Sequence, residues 1–543
     1  MQLKKSKKLA KGPLKALLLI TIPLMFAGTF ILFDLPQSME EPLIKTFQIS
    51  TVSVVSLYSI SASTTVAMDL AMIPLLDKFS LGRCAALFQA VFCLGVVCTH
   101  LGLSVKKFSF VVLGRLLFGI GMECLYVVQN IAAERWFRGR MLVIVCGLAP
   151  LLVMLFNSVT AFLLPLVFVE SGGNWWAVMG VVEVFAGVVF GLSLVFWWVD
   201  ENCAVEGGSE YERYPEGAEG VDDDAFELRV VSSCLDSSDF DENHDLAKNV
   251  SLTGFEQKVD KETKEASNKL DSLLLTSEAS PVFKKRQKVA KKAKPEKTSQ
   301  FTLTHLKHIP TLSWALLAFS TTSVTCYFQL TNIATDLIAT RFSLPYLTAK
   351  NASASISFVN MIFMPICIYS ASKYGRRTHA YLIGSFLYLV CFVSLLTSKS
   401  DKTKIWHVYR SLGALAIGNA LILSSVVAGL LLTIPTKSTR FIVPIMAIGF
   451  NLPSVVASPL MGWISRARTV AAYQNCLYLL LGFGLVNFLV SFWVFGLNRG
   501  ERVKGLLDLA GDDKWVTEYK ERLNQEVDRL IRGAEGVDEY QAK

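Results

Sequence analysis

Twelve long apolar runs constrain this chain more than any other feature. They fall at roughly 13–35, 49–76, 84–104, 108–133, 141–169 and 175–199, and again at 311–336, 346–371, 378–398, 405–434, 440–465 and 471–496. Each is about 20 residues or longer, the length an α-helix needs to cross the hydrocarbon of a bilayer. Lipid offers no partner to a backbone N–H or C=O, so such stretches span as helices that satisfy their own hydrogen bonds. Composition agrees: the 543 residues are 52% hydrophobic and 18% charged, whereas a soluble chain carries about a quarter charged residues. The pattern predicts an all-α membrane protein with twelve transmembrane helices in two six-helix bundles.

The order of the runs predicts five segments. Residues 1–12 form a Lys-rich cytosolic N-terminus, 13–199 a first bundle, 200–305 a linker, 306–497 a second bundle and 498–543 a polar tail with one amphipathic helix near 513–532. The linker is acidic first (Asp222, Asp223, Asp224, Glu227) and basic later (Lys284, Lys285, Arg286, Lys288, Lys291, Lys292). It has too little apolar surface to fold alone, so it reads as a largely disordered cytosolic spacer. Lys and Arg are more frequent in the short loops on the N-terminal side than in those opposite. That bias predicts both termini in the cytosol. The net charge of +8 is spread along loop ends, which fits membrane lipid as a partner and excludes a nucleic-acid-binding module.

Several function classes drop out. The eleven cysteines lie mostly in apolar runs and have no C-x-x-C spacing, and the six histidines lack metal-ligand spacing. There is no Walker loop. The sequence therefore implies no catalytic residue, no metal and no cofactor, and the chain does not read as an enzyme.

The chemistry lies in polar groups inside the runs. The stretch Gly114–Arg140 reads GRLLFGIGMECLYVVQNIAAERWFRGR. At 100° per residue Arg115, Gly119, Glu123, Tyr126 and Asn130 share one helical face. An ionisable residue in a span is costly and points to a cavity or a partner helix. Glu123 has three open roles: binding a substrate amine, carrying a proton, or pairing with a neighbouring helix. Asp69 in the second run is a further proton or cation candidate. Asn157, Gln329, Asn360 and Asn451 are candidates to line a substrate cavity, although intramembrane amides also bond neighbouring helices. Glu183 reads equally as a structural pair or a group facing the far side.

Two cytosolic loops occupy matching places. The first reads Asp77–Lys78–Phe79–Ser80–Leu81–Gly82–Arg83 and the second Ser372–Lys373–Tyr374–Gly375–Arg376–Arg377. Both resemble the loop signature of the major facilitator superfamily. The second has Ser372 where the acid belongs. Asp77, Arg83, Arg376 and Arg377 are the gating candidates, a carboxylate against a helix N-terminus and an Arg being a means of latching one conformation.

A more specific resemblance runs through Gly114, Arg115, Phe118, Gly119, Ile120, Gly121, Glu123, Val127, Gln129 and Asn130, and on through Trp136, Phe137, Gly139 and Arg140. This pattern is similar to the major facilitator superfamily domain-containing protein 1 family of lysosomal dipeptide transporters. The resemblance implies a transporter of a small-molecule substrate in the amino-acid or short-peptide class. It further implies an endolysosomal or vacuolar membrane in preference to the plasma membrane, and an accessory membrane glycoprotein as partner. It makes Glu123 the reader of a peptide's amino end. The family places an Arg in span five for the other end, and here Met154 stands at that position. The alternatives are a non-transporting receptor or scaffold acting through its cytosolic loop, or a transporter of sugars or other organic ions.

Overall fold

The computed structural model describes residues 11–207, 309–398, 405–500, 503–511 and 513–541. The Lys-rich N-terminus before residue 11 and the linker from 208 to 305, with the disorder expected there, lie outside the described residues. The described residues outside that stretch form one helical body.

The first half of the body opens on α1 (Lys11–Ala27), continued by the short turns α2 (Phe30–Phe33) and α3 (Leu35–Ser38), and then by the amphipathic α4 (Glu40–Phe47). Five long helices come next: α5 (Thr51–Lys78), α6 (Leu81–Ser104), α7 (Phe108–Trp136), α8 (Gly139–Glu170) and α9 (Trp175–Gly207). The second half holds α10 (Thr311–Phe342), α11 (Tyr346–Lys373), α12 (Arg377–Thr397), α13 (Ile405–Leu423) with its continuation α14 (Val426–Thr433), α15 (Thr439–Ser465) and α16 (Val470–Asn498). A tail helix, α17 (Lys514–Gln541), comes last.

Local chemistry sets the helix starts. Ser50, Ser80 and Thr469 each accept a hydrogen bond from the backbone N–H three residues on, capping α5, α6 and α16. Pro310 and Pro345 stand just before α10 and α11, where a missing N–H costs nothing.

Among the described residues eleven stretches are long and apolar enough to cross a membrane. The twelfth long helix, α10, falls outside that group. It carries Thr and Ser along its length and Asp336 and Arg341 near its end. Its position among the other helices is what makes it a member of the second bundle. The outer surface of the body is apolar: Leu70, Leu94, Phe162, Val184, Ile366 and Leu489 are exposed. In water such a surface would aggregate, so it marks a lipid-facing band. Trp176, Trp406 and Trp463 are exposed at helix ends, the level of an interfacial aromatic belt.

The halves meet mainly where α5 packs on α15 and α8 on α11, with α7 on α15 and α8 on α14 adding to the seam. Within the first half α7 packs against both α5 and α6. Gly119 makes this possible. A Cβ there would lie 2.2 Å from the Thr64 hydroxyl and 2.7 Å from the Ser61 carbonyl, so α5 and α7 touch backbone to backbone.

One face of the body, the tail face, carries α17; the far face lies opposite. At the tail face α17 buries Val516, Tyr519, Leu523 and Val527, spaced as one stripe of a helix. Lys520 reaches Glu134 at the end of α7, and the Asn524 carboxamide accepts from the Thr436 backbone N–H at 2.9 Å. One tail helix thus touches both halves.

Candidate functional site

A cavity of ≈ 1250 Å³, open solvent at its mouth included, lies between the two halves. From the first half it is lined by α2 (Phe30, Phe33), α5 (Tyr58, Ser61, Thr65), α7 (Glu123, Tyr126, Gln129, Asn130) and α8 (Cys146, Pro150, Met154). From the second half come Phe328, Asn332, Leu423, Phe450, Asn451 and Ser458. Glu123 stands about 22 Å from the far end of α7 at 1.5 Å per residue, near the middle of the helix.

The residues singled out from sequence divide into groups. Glu123, Tyr126, Asn130 and Asn451 line this cavity. Asn451 comes from the opposite half and shares the cavity with Glu123, its Nδ2 donating to the Ala447 carbonyl at 3.0 Å. Asp69 is fully buried behind the lining, one turn beyond Thr65 on α5. Among the described residues neither Glu123 nor Asp69 has a cationic side chain in salt-bridge range. Gln329 stands one step back, its Nε2 donating to Ser458 Oγ at 3.0 Å. Asn360 is fully buried beside Tyr327.

Asn157 sits instead in an outer vestibule with Asp34, Gln37, Glu40, Tyr327, Asp336 and Lys350. Phe33, Phe328 and Asn332 line both spaces and form the boundary between them. Lys350 is engaged, donating to the Ser38 carbonyl at 3.0 Å.

Sequence reasoning missed several lining groups. Gln129 is 1% exposed, lines the cavity and has no hydrogen-bond partner on its Oε1. It is visible in the sequence only as one letter of the family pattern. The aromatic lining from Phe26, Phe30, Phe33 and Phe450 carries no signal, because Phe in a span reads as lipid-facing or core. Arg115 does lie on the helical face of Glu123, but it does not reach the cavity wall. Its Nη2 donates to the Phe33 carbonyl at 2.8 Å, and its guanidinium stacks near Tyr58 and Phe118.

The loop residues lie at the tail face. The Asp77 side chain lies outside the described residues. Arg83 pairs with Glu201 at 2.6 Å on an exposed edge. Arg376 is exposed in a left-handed conformation. Arg377 is fully buried and donates to the carbonyls of Leu507, Leu509 and Ala371. Two acids without a sequence signal of their own cap the helices after these loops. Asp200 accepts from the Gly82 N–H at 3.0 Å and from Arg135 at 2.9 Å. Asp508 accepts from the Thr378 N–H at 3.0 Å. Glu183 pairs with His100 at 2.6 Å.

Solved structures share this fold. A bacterial homologue of the iron transporter ferroportin, outward-facing, aligns over 89% of this chain and 99% of its own with a TM-score of 0.56 and 9% identity. The proton:xylose symporter XylE, solved with a bromodeoxyglucose, aligns over 89% and 95% with a TM-score of 0.57 and 12% identity. The chain has the major facilitator fold. At that identity the likeness to these facilitators speaks for fold alone.

Sequence comparison adds kinship. A family profile described as "Sugar (and other) transporter" matches residues 255–428. The lysosomal dipeptide transporters MFSD1 of Pongo abelii and Bos taurus are 26% and 29% identical over 186 and 173 residues, 33% and 31% of this chain. The human MFSD1 is 26% identical over 186 residues, 33% of this chain. The matched region spans 40%, 37% and 40% of the length of these curated relatives. The chain is therefore similar to these dipeptide transporters over a limited stretch, less than half of their length.

Proposed function

We propose that this facilitator is a secondary transporter that moves a small organic solute of the amino-acid or short-peptide class by alternating access. The observation that carries the reading is the cavity between the halves, with Glu123 on its wall near mid-helix. A site at the interface of two bundles is where such transporters hold cargo. An intramembrane carboxylate without a cationic partner is most simply used to hold a cation or a proton. The matched lysosomal dipeptide transporters support an amine-bearing cargo and an endolysosomal or vacuolar membrane, with the tail face and both termini in the cytosol. An accessory membrane glycoprotein belongs to the same reading.

Glu123, Tyr126, Asn130 and Asn451 then hold the solute. Gln329, Asn157 and Asn360 support it from behind or from the vestibule, and Asp69 with Glu123 forms the coupling pair. The tail-face loops of Asp77, Arg83, Arg376 and Arg377 accompany the opening and closing.

A sugar is the second reading, favoured by the description of the matching family profile and by the amides of Gln129, Asn332 and Asn451. The test is uptake into proteoliposomes from a pool of dipeptides, amino acids and sugars, with Glu123→Gln in parallel. Uptake of an amine-bearing solute that is lost in Glu123→Gln is expected. Absence of any uptake overturns transport in favour of a receptor or scaffold, and uptake of sugar alone moves the assignment to the second reading.

A further inference from the structure

The cavity wall is negative or neutral and never positive. Among its described lining residues Glu123 is charged, and no Lys, Arg or His faces the space. Asp69 stands behind it on the same side. Arg115 is 2% exposed and held by the Phe33 carbonyl. Its Nη1 has no hydrogen-bond partner, but it is absent from the cavity wall. Lys350 belongs to the outer vestibule, where Asp34, Glu40 and Asp336 outnumber it. Met154 lines the cavity where the resemblance would place an Arg. Its sulfur takes the Tyr327 hydroxyl from the other half at 3.5 Å.

The same wall suits a cation in a second way. Phe26, Tyr126 and Phe450 form a run of rings beside Glu123, with centroids 5.1 Å apart for Phe26–Tyr126 and 5.9 Å for Tyr126–Phe450. Ring faces attract ammonium groups, and the attraction grows where water is excluded. The unpartnered Gln129 Oε1 adds a buried acceptor on the helix that carries Glu123. A carboxylate, an acceptor amide and aromatic faces all favour a positive charge. A substrate carboxylate in the same space would be desolvated without a cation to meet it.

We propose that the cargo is an organic ammonium ion whose carboxylate is absent or capped, such as an amine or an amino-acid or peptide amide. The ammonium group sits between Glu123 and the rings of Phe26, Tyr126 and Phe450. The proposal rests on the cavity being the cargo site, and narrows the class from zwitterions to net cations.

The experiment uses the full-length chain and two probes that differ in one group, the dipeptide leucyl-glycine and its C-terminal amide. Binding is read by thermal stabilisation of the purified protein, and uptake separately in proteoliposomes. The amide should half-saturate at a concentration at least tenfold below that of the free dipeptide. Glu123→Gln should weaken the amide tenfold or more, with Glu123→Asp between the two. Met154→Arg, checked for an unchanged melting profile without ligand, should narrow the gap by favouring the free dipeptide. Equal or tighter binding of the free dipeptide overturns the proposal, as does failure of the amide to bind. Uptake of the free dipeptide but not the amide overturns it while leaving the transporter reading intact. Binding of the amide without uptake keeps the cation site and removes the transporter reading.

Discussion

Asp508 caps the helix that begins beside Thr378. Its Oδ1 accepts from the Thr378 backbone N–H at 3.0 Å and from the Thr378 hydroxyl at 2.7 Å, and its Oδ2 takes the Asn498 amide at 2.9 Å. This cap comes from beyond the last span, not from the loop itself. Asp200, after the last span of the first half, holds the Gly82 N–H in the same manner. A helix N-terminus favours a carboxylate through its free N–H groups and its dipole. Asp508→Ala should lower stability by about 1–3 kcal/mol, the sum expected for a lost cap and a part-buried amide left unpaired. Asp508→Asn should recover part of it, with both read as melting temperature against the parent.

The same segment constrains Gly375. This residue has φ +69, and a Cβ on it would lie 2.3 Å from the Leu509 carbonyl oxygen. The backbone conformation disfavours side chains, and the neighbour is main chain that cannot rotate away. Gly375→Ala should destabilise the fold by about 1–3 kcal/mol. A melting temperature equal to that of the parent would show that the 505–509 segment can move off the loop.

Lys520 and Glu134 form a largely buried pair between the tail helix and α7, with side-chain exposures of 19% and 4%. Removing either partner leaves a charge in a site that excludes water. Each single substitution, Lys520→Met or Glu134→Gln, should cost more than the pair removed together. A double-mutant cycle should give a coupling of about 0.5–3 kcal/mol. Additive effects would mean that the tail helix is held by its apolar stripe alone.

Gly119 should be the least tolerant position of the Phe118–Gly121 motif toward α5. A Cβ there meets both a side chain and the backbone of Ser61. Gly119→Leu should force α5 and α7 apart and destabilise by roughly 1–3 kcal/mol or more. Changes at Gly180 or Gly187, where an added Cβ meets nothing within 4 Å, should be near neutral. The check is melting temperature of the purified variants side by side.

Much of the architecture is legible in the chain because span length and hydropathy are local properties. Both bundles announce themselves as apolar runs, the one at 311–336 the most polar among them. Glu123 announces itself because a carboxylate in such a run is rare and costly. The polar groups of the opposite half do not. Asn451 lies far along the chain in an amide-bearing helix like several others, and Gln329, Asn360 and Asn157 carry the same signal. The fold brings Asn451 to the cavity, sets Gln329 behind Ser458, buries Asn360 and moves Asn157 to the vestibule. Arg115 shows the limit of a helical wheel: it shares a face with Glu123, yet a carbonyl and two rings hold it out of the cavity wall.

Helical, membrane-spanning character, the division into halves and the cost of burying Glu123 are legible in single segments of the chain. Those features depend on the period, length and composition of single segments. Which groups meet is set by how the helices pack: Met154 with Tyr327, Asp508 with Thr378, and Lys520 with Glu134, while Asn451 comes to share a cavity with Glu123. Each of these contacts joins residues remote in sequence. They form because helices packed side by side leave particular faces opposite one another, and a helix's own pattern says which face is polar but not what will stand across from it.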